Sequence, residues 1–175
     1  RVFVRYAEVL LTYAEAMIEA GKIDNSVLDA INMVRARAYK ADYRNGSAYP
    51  KVVTKDRDAL RSIVRVERRM EFAYEGLRRM DLIRWRIAEK VLNTPDYGLL
   101  DKDALVSKLV DKNLWFWPEK PQIDENGCAD FSQIYNKGLC KIITRRQFDA
   151  SKNYLWPIPS LEVITNPYLG QNDNY

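Results

Sequence analysis

The sequence predicts a mainly all-α fold in which helices join as antiparallel hairpins and a loop-rich half follows. Two observations carry this: apolar residues recur every three or four positions through most of residues 2–92, and short polar or glycine-bearing turns interrupt that rhythm. Residues 2–20 place Val2, Tyr6, Leu10, Tyr13 and Met17 along one helical stripe, with Gly21 as a C-terminal stop. After the polar turn Lys22 to Asn25, with Asn25 or Ser26 as N-cap, Val27, Ile31, Val34 and Ala38 repeat the spacing. So short a turn makes the two helices antiparallel neighbours.

A loop over residues 41–53, bearing Tyr, Asn, Gly and Pro, leads to a third helical pattern from Thr54 to Glu75. Asp56 and Asp58 lie in its first turn, where a helix favours negative charge, and Gly76 ends it. A fourth pattern from Arg78 to Leu92 buries Leu82, Trp85 and Leu92 and stops at Asn93-Thr94-Pro95. Such hairpins resemble the helix-turn-helix unit of tetratricopeptide-like α/α superhelices, whose paired helices cover each other's apolar faces. One domain is expected, with 1–92 supplying two hairpins and 93–175 a loop-rich part that closes on their core. Within that part the pattern predicts a short helix over 103–112, a strand over 139–145 and a polar, loop-like tail over 166–175. Residues 154–159 must be extended, because proline disfavours helix at the residue before it.

Composition narrows function by exclusion. The chain has 175 residues, 47% hydrophobic and 30% charged, which is ordinary for a globular protein. Its 28 basic and 24 acidic residues are interspersed, and the +4 balance is too mild for a nucleic-acid partner. Glu67, Glu71, Glu75 and Asp81 flank Arg68-Arg69 and Arg78-Arg79, which points to pairing within the molecule. With no histidine, His-dependent triads and most zinc sites are removed, and neither a metal nor a cofactor is expected. No apolar run is long enough to cross a bilayer. Cys128 and Cys140 fit either a disulfide in an oxidising compartment or two free buried thiols. The chain opens on Arg1 to Tyr6 already in helical rhythm, without an initiator Met or a capping residue, so the natural N-terminus is expected upstream.

At about 100° per residue, Glu67 and Glu71 fall within about 20° of Leu60, on the apolar stripe of the third helix. A carboxylate there needs a cation, since burying it unpaired costs several kcal/mol. Arg5, Arg35, Arg37, Arg78, Arg79 and Arg84 are the candidates, each able to offer a planar fork of donors. A catalytic acid pair is the competing reading, but glycosidase carboxylates face an open cleft, whereas these lie one turn apart on a face that packs against helices. A structural ion-pair network through Glu67, Glu71, Arg35 and Arg84 is the expectation, and no catalytic residue is assigned.

Four blocks then resemble one family. The run Arg5-Tyr6-Ala7-Glu8-Val9-Leu10-Leu11 with Tyr13-Ala14-Glu15-Ala16 is similar to RYAEVLLMYAEA, and Ala30 to Ala38 is similar to AINxVRxRA. Glu67 to Trp85 resembles ERRxEFxxEGxRxxDLxRW, and Tyr154 to Pro159 with Glu162 and Asn166 to Asn172 resembles YLxPIPxxExxxNPxLxQNPGY. These are signatures of the SusD/RagB family, in family order. Departures are Asp173-Asn174 in place of Pro-Gly, and Leu77 and Met80 where Gln or Lys and a larger aromatic are common. The resemblance covers nearly the whole chain but only the C-terminal part of a typical member. It implies a surface-exposed outer-membrane lipoprotein, anchored by a lipid upstream of these residues, that partners a SusC-like TonB-dependent transporter and binds a glycan or other nutrient without catalysis.

Sugars present apolar C–H faces, so a platform needs an exposed aromatic ring with polar groups beside it. Trp115 and Trp117, on one side of an extended Leu114 to Pro118 with Glu119 and Gln122 nearby, are the first candidates; Tyr97 and Tyr135 are the next. The competing reading has both tryptophans capping the core. Trp85 and Trp156, inside family blocks, are expected in the core, and Tyr43 and Tyr49 are weaker ligand candidates. The alternative function is a tetratricopeptide-like protein-interaction scaffold without glycan binding, which would need more repeats than the chain shows.

Overall fold

The computed structural model describes residues 4–114 and 119–175. The chain is mainly helical and divides into two compact units, Arg1–Arg78 with Ile123–Ala129 and Arg79–Gln122 with Asp130–Tyr175.

In the first unit α1 (Tyr6–Glu19) and α2 (Asn25–Ala38) form the antiparallel hairpin, and α3 (Arg57–Glu71) packs across both. The core is Leu11, Ala14 and Ile18 of α1, Val27, Ala30, Ile31 and Val34 of α2, Leu60 and Val64 of α3, and Val52 and Phe72. Each fully buried Leu or Ile contributes roughly 1.5–3 kcal/mol. The buried stripe of α1 is rotated from the predicted one. Leu11, Ala14 and Ile18 face inward, with Leu10 and Met17 packed at the margin, whereas Tyr6 and Tyr13 are exposed. Amphipathic tyrosines mark a stripe less surely than aliphatic residues do. Met70 and Tyr74 likewise lie outside the core, Tyr74 at the left-handed φ of 65° just past the end of α3.

Helix starts are set by aspartates one or two residues from the predicted caps. Asp24 accepts from the Ser26 N–H at 2.9 Å to start α2, and Asp56 accepts from the Ala59 N–H at 2.8 Å to start α3, three residues later than Thr54. The loop between α2 and α3 is held by Asn32, which is fully buried. Its Nδ2 donates to the Val52 carbonyl at 2.9 Å and its Oδ1 accepts from the Val52 N–H at 2.8 Å, as a neighbouring strand would. The returning segment Ile123–Ala129 turns on Asp124, whose Oδ1 accepts from the N–H groups of Asn126 and Cys128. Gly127, at φ 72°, lies against Val66 so closely that a Cβ would sit 3.3 Å from the Val66 Cα.

In the second unit the predicted fourth helix is broken into α4 (Arg78–Arg84) and α5 (Ala88–Leu92). The break is a helix end: Arg86 takes φ 55°, its N–H reaching Ile83 O and that of Ile87 reaching Leu82 O. Leu82, Ala88 and Phe148 form a small core with Ile83, Ile87 and Tyr154. Asn93 clamps Phe148 as Asn32 clamps Val52, at 2.7 and 3.1 Å. Beyond it lie β1 (Asp96–Gly98), α6 (Lys102–Lys108) with a 3-10 turn at Val110–Lys112, α7 (Ser132–Asn136), β4 (Lys141–Thr144) and α8 (Ser160–Thr165), while β2 (Gln122–Ile123) and β3 (Ala129–Asp130) fall at the two ends of the Ile123–Ala129 segment. β1 pairs antiparallel with β4, Tyr97 opposite Ile142, and β2 pairs with β3. The sequence pattern did not show α7 or α8. The expected strand and short helix appear as β4 and α6. Of the segment expected to be extended, Tyr154 and Leu155 close a turn and residues 156–159 run on without one; the polar tail is pinned to these, Gln171 exchanging two 2.8 Å bonds with the Ile158 backbone and Asn172 donating to Trp156 O at 2.6 Å. Trp156 itself is a correction: its ring is 73% exposed with the Arg79 guanidinium over it, and Trp85 is half-buried under Arg84. Indoles tolerate the surface when a cation covers one face.

Candidate functional site

The acids on the α3 stripe are held by arginines. Glu67 accepts from Arg35 Nε at 2.5 Å. Glu71, with a side chain 8% exposed, accepts from Arg37 at 2.6 Å and pairs with Arg5, whose other nitrogens hold Glu75 and the Glu71 carbonyl. The Arg5 pairing holds the Glu75 carboxyl below its ordinary value. Arg84, expected among these partners, instead donates to Asp81 one turn earlier at 2.8 Å. Beneath them Arg68 lies 3.6 Å from Glu15 and donates to Thr12. Of these acids Glu71 is the most fully engaged, with both carboxylate oxygens accepting from arginine on a packed face. Among the described residues no group of His, Cys, Asp and Glu converges as metal ligands.

Of the four candidate ligand aromatics, Trp115 and Trp117 lie outside the described residues. Tyr97 and Tyr135 are brought together. Antiparallel pairing with β4 fixes Tyr97 in β1, and its ring centre lies 5.7 Å from Tyr135 and 6.1 Å from Phe131, tilted by 52° and 47°. Phe131 and Tyr135 are four residues apart across the start of α7, which puts them on one helical face. Asp130 begins that turn, accepting from the Ser132 N–H at 2.8 Å, a bond that keeps its carboxyl below its ordinary value and ionised at neutral pH. Gly138, at φ 68°, ends it, and its carbonyl accepts from Lys108 Nζ at 3.1 Å, tying α6 to α7.

The rings differ in role. Tyr97 is largely covered; burial, and behind it the Asp130 charge, pushes its phenol above the ordinary value while Arg145 opposes this, so at neutral pH it stays a hydroxyl that both donates and accepts. Tyr135 is 40% exposed and offers its ring to solvent. An exposed ring backed by a second phenol, with the Asp130 carboxylate in the same turn to accept from hydroxyls, suits a sugar face. Nearby cations are already engaged: Lys137 pairs with Glu119, Lys141 with Asp101, and Arg146 with Asp96. In the first unit an open groove of about 390 Å³ runs between α1 and α2 over Tyr6, Leu10, Met33 and Val34. Its lining is one exposed tyrosine, Tyr6, among apolar side chains, and its two rim cations, Arg5 and Arg37, are committed to Glu71.

Sequence reasoning missed Phe131, Asp130 and Arg145. The signal for the first two was present: an aspartate, an aromatic pair four apart and a following glycine spell a capped one-turn helix. Cys128 and Cys140, left open between disulfide and thiols, are both free.

A model of the SusD family matches residues 1–175. Two proteins of Formosa agariphila are similar in sequence: SusD-like protein P38 is 31% identical over 71% of this chain and 24% of its own length, and SusD-like protein P2 is 26% identical over 97% of this chain and 25% of its own. Among solved structures, a SusD-like carbohydrate-binding protein of Bacteroides fragilis superimposes with a TM-score of 0.66 at 32% identity, covering 95% of this chain and 28% of that one. A SusD homologue of Bacteroides thetaiotaomicron gives 0.62 at 31% identity, over 99% of this chain and 26% of that one. The chain thus spans about a quarter of the length of these relatives.

Proposed function

Because this chain belongs to the SusD family, we propose that it is the C-terminal part of a nutrient-capture protein that binds a glycan and catalyses nothing. The observation that carries the reading is the Tyr97–Tyr135–Phe131 cluster with Asp130 at the start of the same turn, an aromatic face with a hydroxyl acceptor beside it. The carbohydrate-binding relative of the same fold supports the ligand class. Engagement of the α3 carboxylates by Arg5, Arg35 and Arg37 supports binding over hydrolysis. In this proposal the whole protein is a lipoprotein on the outer surface of the outer membrane, held by a lipid upstream of these residues, and it delivers its ligand to a SusC-like TonB-dependent transporter. Among the described residues no helix is long and apolar enough to cross a membrane.

Titration calorimetry of the chain and of its full-length parent against a panel of polysaccharides tests this. A bound glycan whose affinity falls at least roughly tenfold, or about 1.4 kcal/mol, in Tyr135→Ala supports the platform. Loss in Trp115→Ala or Trp117→Ala with Tyr135→Ala unaffected would move the platform to the aromatic run. No binding by the parent to any glycan would overturn the ligand class.

A further inference from the structure

The sequence contains two Asn-Gly dipeptides, Asn45-Gly46 and Asn126-Gly127, and the fold treats them oppositely. In this dipeptide the unhindered glycine nitrogen can attack the asparagine side chain. Whether it does depends on the freedom of that nitrogen and on the placing of the carboxamide.

Asn126 is 3% exposed and tied on every side. Its Oδ1 accepts from Arg65 at 2.6 Å, its Nδ2 donates to Glu125 at 3.0 Å, and the Gly127 N–H is itself donated to the Asp124 carbonyl at 3.0 Å. Asn45, Gly46 and Ser47 are exposed in the loop before α3. The Asn45 backbone is fixed by its N–H to Asp42 O at 2.9 Å and by its carbonyl accepting from Ala48 at 3.2 Å. Its Oδ1 accepts from the Ser47 hydroxyl at 2.8 Å and, weakly, from the Ser47 N–H at 3.4 Å. A side chain bonded to the residue two ahead is curled back over the intervening peptide, which carries Cγ towards the Gly46 nitrogen. Among the described residues the Gly46 N–H is donated to no group. Lys51 lies alongside, 3.9 Å from Nζ to where a Cβ on Gly46 would be, so a cation stands near the nitrogen that must lose a proton. The Ser47 hydroxyl is placed to hold the oxyanion that develops on Oδ1.

We propose that Asn45 is a self-modification site. The Gly46 N–H gives its proton to water or hydroxide, the nitrogen bonds to Asn45 Cγ, and the Cγ–Nδ2 bond breaks to release ammonia and leave a succinimide. Water then adds to either ring carbonyl, giving aspartate or isoaspartate. The net change is one water consumed and one ammonia lost, with no redox step, and the loop gains a negative charge beside Lys51.

The folded chain is incubated at mildly alkaline pH, and peptides spanning both dipeptides are followed by mass and by retention, which separates aspartate from isoaspartate. Conversion at Asn45 is expected to run many-fold ahead of Asn126 in the folded chain, and the two are expected to converge in denaturant. Ser47→Ala is expected to slow Asn45 several-fold while leaving thermal unfolding unchanged. Gly46→Ala should nearly stop it; Gly46 has no left-handed φ, and the flexible Lys51 side chain can make room for the methyl group. The proposal is overturned if Asn126 keeps pace with Asn45 in the folded chain, if the bias persists in denaturant, or if Ser47→Ala reacts at the wild-type rate.

Discussion

Replacing Asn32 tests the hairpin–loop joint of the first unit most directly. The side chain has no solvent exposure and makes two bonds to one residue, 2.9 Å to Val52 O and 2.8 Å from Val52 N. Asn32→Leu keeps most of the volume but leaves the Val52 N–H and C=O without partners, at about 1–3 kcal/mol each, so a loss of about 2–6 kcal/mol is expected. Asn32→Asp is more informative because it makes the same lesion titratable. The ionised carboxylate still accepts from Val52 N–H but presents a second oxygen to Val52 O, whereas the protonated acid donates there and restores both bonds. The folded state therefore favours the neutral form and raises the introduced carboxyl's pKa above the unfolded value of about 3.9. Between those two values the folded state holds the extra proton, so stability falls as pH rises and recovers as pH drops. The assay is urea unfolding by circular dichroism at neutral and mildly acidic pH, read as the difference between Asn32→Asp and wild type at each pH. A gap that is wide at neutral pH and narrows on acidification is expected. A gap independent of pH, or Asn32→Leu within 1 kcal/mol of wild type by the urea midpoint, would refute the two-bond account.

Four further outcomes follow from the same structure. Lys40 ends α2 at a left-handed φ of 55° and is exposed, so Lys40→Gly should stabilise by about 1 kcal/mol, whereas Arg86→Gly should be near neutral because Arg86 also lies 4.5 Å over the Tyr154 ring; thermal melts compare them. Glu71→Gln removes the charge and turns one of the two oxygens that accept from Arg5 and Arg37 into a donor at a mostly buried point, and should cost about 2 kcal/mol in urea unfolding, less than a fully buried pair because both arginines are part-exposed. The Glu19 carboxyl is held below its ordinary value by hydrogen bonding from Arg61, so its contribution is complete above the unfolded pKa and is lost as pH falls through the lower folded value; Glu19→Gln should flatten the acid limb of the stability curve. Burial pushes the Cys140 thiol up, so in timed alkylation the half-buried Cys128 should be labelled first, and equal rates would count against that burial.

How much of this was legible differs by kind of feature. Helices α1, α2 and α3 were, because an apolar stripe leaves a period in the sequence. Their ends were legible only where the left-handed residue was one that favours such a φ. Five helical segments end alike, with the residue at positive φ donating back to the second-last turn and the next residue one position further, at Gly21, Lys40, Arg86, Asn113 and Gly138. Gly21 reads as a stop in advance; Lys40 and Arg86 do not, which is why the sequence pattern carries the fourth helix through Arg86. Side-chain amides were the second hidden device. Asn32, Asn93 and Gln171 each bind both backbone groups of one distant residue, Val52, Phe148 and Ile158, and replace strand pairing in loops that otherwise look irregular. Nothing local distinguishes them from surface amides.

The candidate site shows the same division. Tyr97 and Tyr135 stood out only as loop tyrosines, and their meeting depends on β1 finding β4 and on a one-turn helix too short to leave a period. Local signals could name the rings but not the pairing, since the pairing is decided by a long-range register. That register is also what makes the site testable apart from family membership. The family blocks lie in α1, α2, α3, α4 and the 154–172 segment, and none contains Tyr97, Asp130, Phe131, Tyr135 or Arg145. The blocks coincide with the packed helices and the 154–172 segment, whereas the aromatic cluster lies outside them. A loss of glycan binding in Tyr135→Ala with unfolding unchanged would locate recognition in the aromatic cluster outside those blocks, because Tyr135 belongs to neither packed core.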